Sequence, residues 1–388
     1  MLSRSRVVIA LAAATIATTP IFVACNPNNS TKTEAREPAN ARAPATSATS
    51  YAAAPVDPKA APTAAVDPMT TLDPDMKAVM DQLVAMNGKP IPSLSAEEAR
   101  RQPTPADAVV ALLQKQGKST APEEVGKIIN RTIPGPGGAL PVRVYTPKSG
   151  KAPYPVVVYF HGGGFVIATI DTYDASARGL ANGAGAIVVA VEYRKAPENK
   201  FPAAHDDALA TYEWTLHNAA SLGGNPKKIA LVGESAGGDL AAWVSIAARD
   251  KKEPLPVHQV LVYPIAGADM TTASYVENAN AKPLDKAMMA WFGEKYFRTS
   301  ADGNDPRIDL VHANLAGLPP TTIINAQVDP LRSDGEALAS RMRAANVTVE
   351  QKTFAGVTHE FFGMGVAVSK AKDAMEMATS KLKADFAR

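Results

Sequence analysis

The chain has 388 residues, of which 46% are hydrophobic and 20% charged, an ordinary composition for a globular protein. Its 40 basic and 38 acidic residues are interspersed and give a formal net charge of +2. Because no basic stripe with interleaved aromatic residues occurs, the charge pattern gives no support to a nucleic-acid partner. The single cysteine, Cys25, excludes both a disulfide and a cysteine-rich metal site within the chain.

Residues 1–25 have the layout of a bacterial export signal, since two arginines precede an apolar run over 7–24. Residues 22–25, Phe-Val-Ala-Cys, resemble the lipobox of bacterial lipoproteins, in which the cysteine is acylated and becomes the new N-terminus. Phenylalanine stands at the first lipobox position, where leucine is usual. We expect Cys25 to carry a lipid, with an ordinary cleaved signal or an uncleaved anchor as alternatives. The protein is then exported to the cell envelope or periplasm and attached to a membrane.

Residues 26–71 are rich in proline, alanine, threonine and asparagine and contain almost no large apolar residue. Such a segment cannot bury enough surface to offset the entropy lost on ordering. We expect a disordered tether that holds the folded domain, 72–388, away from the membrane. A low-complexity leader without a spacing role is the alternative.

Three short helices are predicted between residues 72 and 120, each opened by a capping pattern. The first starts at Asp73-Pro74 and stops at Gly88, the second has a capping box of Ser95 and Glu98, and the third runs from Thr104-Pro105 to Gly117. Their apolar faces have to rest on later parts of the chain.

The remaining chain predicts an α/β fold. Two antiparallel strands, 125–133 and 140–145, are joined by the glycine- and proline-rich turn 134–138, and later strands alternate with helices. The later strands are expected at 155–160, 186–191, 228–232, 259–263, 321–326 and 347–354, with helices that include 205–217, 237–248 and 370–386. Buried strands that alternate with helices predict a mostly parallel sheet covered on both faces. Functional side chains are therefore expected directly after these strands.

Residues 233–237, Gly-Glu-Ser-Ala-Gly, follow a predicted strand and precede a predicted helix. This context is the one in which Gly-x-Ser-x-Gly exposes a nucleophilic serine on a strained turn. We therefore predict Ser235 as the nucleophile, with the positive end of the helix aimed at the reacting centre. The alternative is a glycine-rich turn in which the serine only caps the helix.

Residues 161–164, His-Gly-Gly-Gly, follow another predicted strand. Fixed backbone N–H groups stabilise the oxyanion of an acyl-transfer intermediate, and glycines let the backbone come close to it. We expect the donors to be Gly163, Gly164 and Ala236, with Gly162 shaping the turn. His161 is interpreted as a structural residue that orients the loop rather than as a base.

These two motifs resemble the hormone-sensitive lipase family of α/β-hydrolases, in its bacterial esterase branch. The segments 192–198 (EYRKAPE), 201–206 and 318–320 (LPP) are also similar to it, and the resemblance runs from about residue 72 to the C-terminus. It implies an ester hydrolase whose helical prefix forms part of a cap over the active site. Three positions depart from the family pattern: Glu234 replaces the usual Asp, Glu360 follows His359 where Gly is usual, and 308–310 lacks a Ser-Pro pair.

In this fold the acid lies between the serine and the histidine in the chain. Asp329 follows the predicted strand that ends near residue 328, and the resemblance points to the same aspartate, in Asp-Pro-Leu. Asp334 is the competitor and is interpreted as a helix cap. Of the six histidines only His359 follows Asp329, so His359 is the predicted base.

The sequence therefore predicts a serine esterase that uses Ser235, Asp329 and His359 and needs no metal or cofactor. Residues 72–120 and 266–297 are expected to form an apolar cap that favours short to medium acyl chains, although the methionines and Trp291 of the second segment could equally form the core of the cap. A lipase, amidase or lactonase with the same triad is the alternative among enzymes. Outside enzymes, a non-catalytic small-molecule-binding protein would be expected to lack part of the triad, and a cell-envelope interaction protein would need no reactive serine.

Overall fold

The computed structural model describes residues 67–388, so the predicted signal, Cys25 and most of the predicted tether lie outside the described residues. The strands are β1 Lys127–Gly135, β2 Gly138–Thr146, β3 Tyr154–Phe160, β4 Ile187–Val191, β5 Gly224–Glu234, β6 Gln259–Val262, β7 Thr321–Val328 and β8 Val349–Thr358. The helices are α1 Pro74–Ala85, α2 Ala96–Ala99, α3 Pro105–Lys115, α4 Asp174–Ala184, α5 Ala203–Asn218, α6 Ala236–Lys251, α7 Ala273–Glu277, α8 Lys286–Tyr296, α9 Arg332–Ala344 and α10 Ser369–Phe386.

The strands form one sheet in the order β1-β2-β4-β3-β5-β6-β7-β8. The pairs β1–β2 and β2–β4 are antiparallel, and every other pair is parallel. The predicted α/β fold with a mostly parallel sheet is confirmed. Strands β3, β5, β6, β7 and β8 lie side by side in the order of the chain. Because they are parallel, β5, β7 and β8 end at the same edge of the sheet.

Both faces of the sheet are buried, because alternate side chains of each central strand enter different cores. In β3, Val156 and Val158 belong to the first core and Val157 and Tyr159 to the second. Helices α5, α6 and α9 cover the first face through residues such as Tyr212, Leu240 and Leu338, and α4 and α10 cover the second through residues such as Leu180 and Leu382. This double coverage explains why the strands are continuous apolar runs.

Helix α1 packs on the sheet edge at β8, and α3 packs on α1. Met76 and Val79 of α1 are fully buried, and the Thr358 hydroxyl at the end of β8 lies 3.8 Å from the Met76 sulfur. The expected capping box is present at Ser95, and Thr104 forms a second one with Asp107. Asp73 starts α1 without capping it by a side-chain hydrogen bond, since its carboxylate instead pairs with Lys370 at 2.6 Å.

Several predicted boundaries are wrong. The residue in left-handed conformation after α1 is Asn87, with φ 54°, rather than Gly88. The turn expected over 134–138 is shorter, because Gly135 pairs with Gly138 across the hairpin. A 3-10 helix, Pro68–Thr71, occupies the end of the predicted tether, and the Asp67 side chain caps it. None of the helices within residues 67–388 is both long and apolar enough to cross a membrane.

Candidate active site

Ser235 occupies the turn between β5 and α6 in a strained conformation, with φ 57° and ψ −118°. Such a conformation is rare for a non-glycine residue and is typical of a serine presented at the end of a strand. The flanking glycines permit it because the turn lies against other backbone. A Cβ on Gly233 would lie 1.9 Å from the Gly237 oxygen, and a Cβ on Gly237 would lie 2.0 Å from the Phe160 oxygen.

The structure brings the three predicted side chains together. His359 follows β8, and its Nε2 lies 2.9 Å from the Ser235 hydroxyl oxygen. Its Nδ1 lies 2.7 Å from Oδ2 of Asp329, which follows β7 and is fully buried. The second oxygen of Asp329 accepts a hydrogen bond from the Leu331 N–H at 2.8 Å, which orients the carboxylate.

The competing aspartate, Asp334, lies elsewhere. It occupies the first turn of α9, and its carboxylate accepts the N–H of Ala266 at 3.1 Å. Burial raises the pKa of Asp334 to about 8. The interpretation of Asp334 as a helix cap is wrong, because the side chain ties the loop after β6 to α9.

The surroundings of His359 favour its protonated form. Burial lowers the pKa of His359, but the charge and hydrogen bond of Asp329 outweigh burial and raise the pKa above its usual value, with smaller contributions from Glu360 and Glu234. The ring also packs on Tyr263, with 4.4 Å between ring centroids. A base that takes a proton from Ser235 is therefore stabilised as the imidazolium.

The glycine loop after β3 faces Ser235. Gly163 and Gly164 adopt positive φ, 101° and 58°, and both line the same cavity as Ser235. Within the described residues, the backbone N–H groups of Gly163, Gly164 and Ala236 donate no hydrogen bond. Gly162 has a different part: its carbonyl accepts the Tyr193 hydroxyl at 3.1 Å, which holds the turn.

His161 is buried beside this loop and stacks on Tyr193 with 4.4 Å between ring centroids. Its Nδ1–H donates to the Gly162 carbonyl at 2.7 Å. Burial lowers the pKa of His161 to about 4. A neutral, buried ring bonded to the loop fits the structural role predicted for it.

A layer of tyrosine hydroxyls and carboxylates lies behind the site, and sequence reasoning did not identify it. Glu234, next to the serine, accepts hydrogen bonds from the Tyr159 and Tyr263 hydroxyls, both at 2.5 Å. Burial raises the pKa of Glu234 to about 7, although these hydrogen bonds oppose the rise. The sequence feature that could have indicated this layer is a tyrosine at the carboxyl end of each of two predicted strands, Tyr159 and Tyr263.

A cavity of about 430 Å³ opens in front of Ser235 and His359. Both expected cap segments contribute to its walls, through Leu83 and Ile91 from the first and Met288 and Phe292 from the second. Trp291 instead lies in the core of the cap, where its indole N–H donates to the Leu94 carbonyl at 3.1 Å. In residues 67–388 no three His, Cys, Asp or Glu side chains are grouped so that they could hold a metal ion.

Comparison with known proteins identifies the family of this chain. A family model described as alpha/beta hydrolase fold matches residues 157–363. Carboxylesterase NlhH of Mycobacterium tuberculosis is 40% identical over 288 residues, which cover 72% of this chain and 90% of that protein. The chain belongs to the hormone-sensitive lipase family of α/β-hydrolases.

Other family members match over most of their length. Ethyl acetate hydrolase of Pseudomonas putida is 33% identical over 320 residues, which cover 80% of this chain and 98% of that protein. The structure of a hyperthermophilic esterase from the archaeon Pyrobaculum calidifontis matches with a TM-score of 0.74 and 36% identity, covering 81% of this chain and 98% of that one. The family assignment made from the sequence motifs is confirmed.

The raised pKa of His359 predicts how the reactivity of Ser235 depends on pH. Only the neutral imidazole can accept the serine proton, so labelling by a fluorophosphonate probe should fall as the pH drops through the pKa of His359. The midpoint should lie above the ordinary value of about 6.5.

The variant Asp329→Asn removes the charge that raises this pKa, so labelling should slow and its midpoint should move to lower pH. Labelling rates that stay constant between about pH 5 and pH 9 would contradict the assignment of His359 as the base.

Proposed function

We propose that the chain is a serine carboxylesterase that hydrolyses short- to medium-chain esters through Ser235, His359 and Asp329. The observation that carries the proposal is the 2.9 Å contact between the Ser235 hydroxyl and His359 Nε2 at the floor of the cavity. Family membership supports the reaction class, because matching relatives are named carboxylesterase, ethyl acetate hydrolase and arylesterase. The chain is accordingly an ester-hydrolysing α/β-hydrolase.

The reaction follows from the positions of these groups. His359 takes the proton of Ser235 as the serine oxygen attacks the ester carbonyl, and Asp329 stabilises the imidazolium that forms. The N–H groups of Gly163, Gly164 and Ala236 stabilise the negative oxygen of the tetrahedral intermediate. His359 then protonates the departing alcohol, and in a second half-reaction it activates the water that hydrolyses the acyl-enzyme.

The cavity supports the proposed substrate size. Its volume of about 430 Å³ is at the lower end of the range for small-molecule sites. A second, mostly apolar cavity of about 250 Å³ lies next to it, and Phe292 and Gly164 line both. The Phe292 ring contacts Gly164 closely, since a Cβ there would be 2.3 Å from the ring. The ring thus forms a wall that limits the length of the bound chain.

From the predicted export signal of residues 1–25 and the lipobox-like residues 22–25, we propose also that the enzyme is held at a membrane by a lipid on Cys25. The segment 26–71 would then separate the lipid from the domain that carries the site. Lipid attachment would place the enzyme where esters partition between membrane and water.

The first prediction from the proposed function concerns the nucleophile. Ser235→Ala should reduce kcat for p-nitrophenyl acetate by about five to six orders of magnitude, because no other hydroxyl of residues 67–388 bonds to His359 Nε2. Ser245→Ala is a matched control, since Ser245 is likewise buried but lies within α6, where its partners among the described residues are Gln259 and the Ala241 carbonyl. A Ser235→Ala enzyme with wild-type turnover would rule out this mechanism.

A second prediction concerns acyl-chain length. For the wild-type enzyme, kcat/KM over a series of p-nitrophenyl esters should be highest at short to medium chains. Phe292→Ala should move the maximum to longer chains, with each additional buried methylene contributing about 0.8 kcal/mol. Phe297→Ala enlarges only the second cavity and should leave the maximum in place. A wild-type maximum at long acyl chains would identify a lipase instead.

The third prediction concerns attachment. Cys25→Ser should move the protein expressed in a bacterium from the membrane fraction to the soluble fraction and abolish incorporation of labelled palmitate, whereas Asn29→Ser should change neither. Wild-type protein that incorporates no palmitate would exclude lipidation.

A further inference from the structure

A second carboxylate lies on the substrate side of His359. Oε1 of Glu360 is 3.9 Å from His359 Nε2, the ring nitrogen that contacts Ser235, whereas Asp329 contacts the opposite nitrogen. Oε1 accepts a hydrogen bond from the Tyr173 hydroxyl at 2.5 Å. Oε2 accepts none from the described residues, and the side chain is 20% exposed and lines the cavity. One oxygen of Glu360 is therefore available to a molecule bound there.

The backbone holds this carboxylate in place at a conformational cost. Glu360 has φ 70°, in the left-handed region that disfavours residues other than glycine and asparagine. Strain of this kind persists where the surrounding structure enforces it and is common at functional sites. Here the Tyr173 hydroxyl, on a residue 187 positions away in the chain, bonds directly to the carboxylate.

The location of Glu360 identifies which part of an ester it faces. His359 Nε2 has to pass its proton to the oxygen of the departing alcohol, so that oxygen lies beside Nε2. Because Glu360 lies close to the same nitrogen, its carboxylate lies beside the alcohol part of the ester. The acyl part attaches to Ser235, on the other side of the reacting carbon.

Other charges along the cavity do not neutralise this carboxylate. Arg100 pairs with Glu198, and Lys195 pairs with Glu192. Lys89 and Lys282 are exposed, so solvent and salt screen their charges. Among the described residues, no Lys or Arg forms an ion pair with Glu360.

We propose that Glu360 forms an anionic subsite for a cationic group on the alcohol part of the ester. The proposal rests on the proposed esterase function and specifies its substrate class, esters of short amino alcohols whose ammonium group reaches Oε2. Attraction between the ammonium and the carboxylate in this half-buried cavity raises kcat/KM for such esters relative to uncharged esters of the same shape.

Two pairs of isosteric esters test the proposal. Acetylcholine and 3,3-dimethylbutyl acetate differ by a quaternary nitrogen on the alcohol side. The ethyl ester of trimethylglycine and ethyl 3,3-dimethylbutanoate differ by the same nitrogen on the acyl side. The measured quantity is the ratio of kcat/KM, cationic over neutral, for each pair. Because burial raises the pKa of Glu360 and so disfavours its charged form, the assays are run at about pH 8 rather than at neutral pH.

Glu360→Gln should lower the alcohol-side ratio about tenfold and leave the acyl-side ratio within about twofold of its wild-type value. Intrinsic differences in ester reactivity cancel, because both enzymes meet the same substrates. Glu360→Gly, which also relieves the backbone strain, should give the same result and guards against a folding defect in the first variant. Glu350→Gln is the charge-matched control: Glu350 lies near the other end of β8, pairs with Lys381, and should affect neither ratio.

An alcohol-side ratio that is the same in the wild type and both Glu360 variants would overturn the subsite. An equal fall in both ratios, together with a shifted pH profile, would also overturn it, because Glu360 would then act only through His359. Failure of the esterase function itself is distinct, since wild-type enzyme would then hydrolyse neither neutral ester.

Discussion

The hydrogen bond between His359 and Ser235 joins side chains 124 residues apart, and the rest of the site depends on it. It can form because β5, β7 and β8 are parallel members of one sheet, so the residues that follow them emerge at the same edge. Ser235, Asp329 and His359 each come directly after one of these strands. The sheet therefore fixes the distances among the three side chains, while the strained turn at Ser235 fixes the direction of the hydroxyl.

Several carboxylates lie in or next to the buried part of the site, and hydrogen bonds from tyrosine hydroxyls offset the cost of removing them from water. Tyr159 and Tyr263 donate to Glu234, and Tyr173 donates to Glu360. Each buried carboxylate would otherwise lose its hydration without compensation. The same negative charges raise the pKa of His359, so the groups that support the turn and the cavity wall also influence the base. Structural support and electrostatic tuning are thus carried by the same side chains.

Local sequence patterns predicted the central strands, both glycine motifs and the positions of the three side chains, because each depends on a few neighbouring residues. Helix α4 was not among the helices named from the sequence, since its buried stripe consists mostly of small residues, of which only Leu180 is large. Helix α9 was indicated only through the interpretation of Asp334 as its cap. The role of Asp334 was predicted wrongly because the group that it binds, the Ala266 N–H, is 68 residues away in the chain. The contact between Tyr173 and Glu360 was equally invisible, as no local pattern encodes a pairing over 187 residues.

The packing of α1 has a consequence for the N-terminal part of the domain. Met76 lies against Thr358, the residue before His359, while Met80, Leu83 and Val84 of the same helix line the cavity. Helix α1 thus both lines the substrate cavity and packs against the end of β8, which is followed by the base. Deleting the N-terminal side of the domain would therefore do more than widen the entrance of the cavity, because it would also remove the side chains that pack on Thr358, the neighbour of His359.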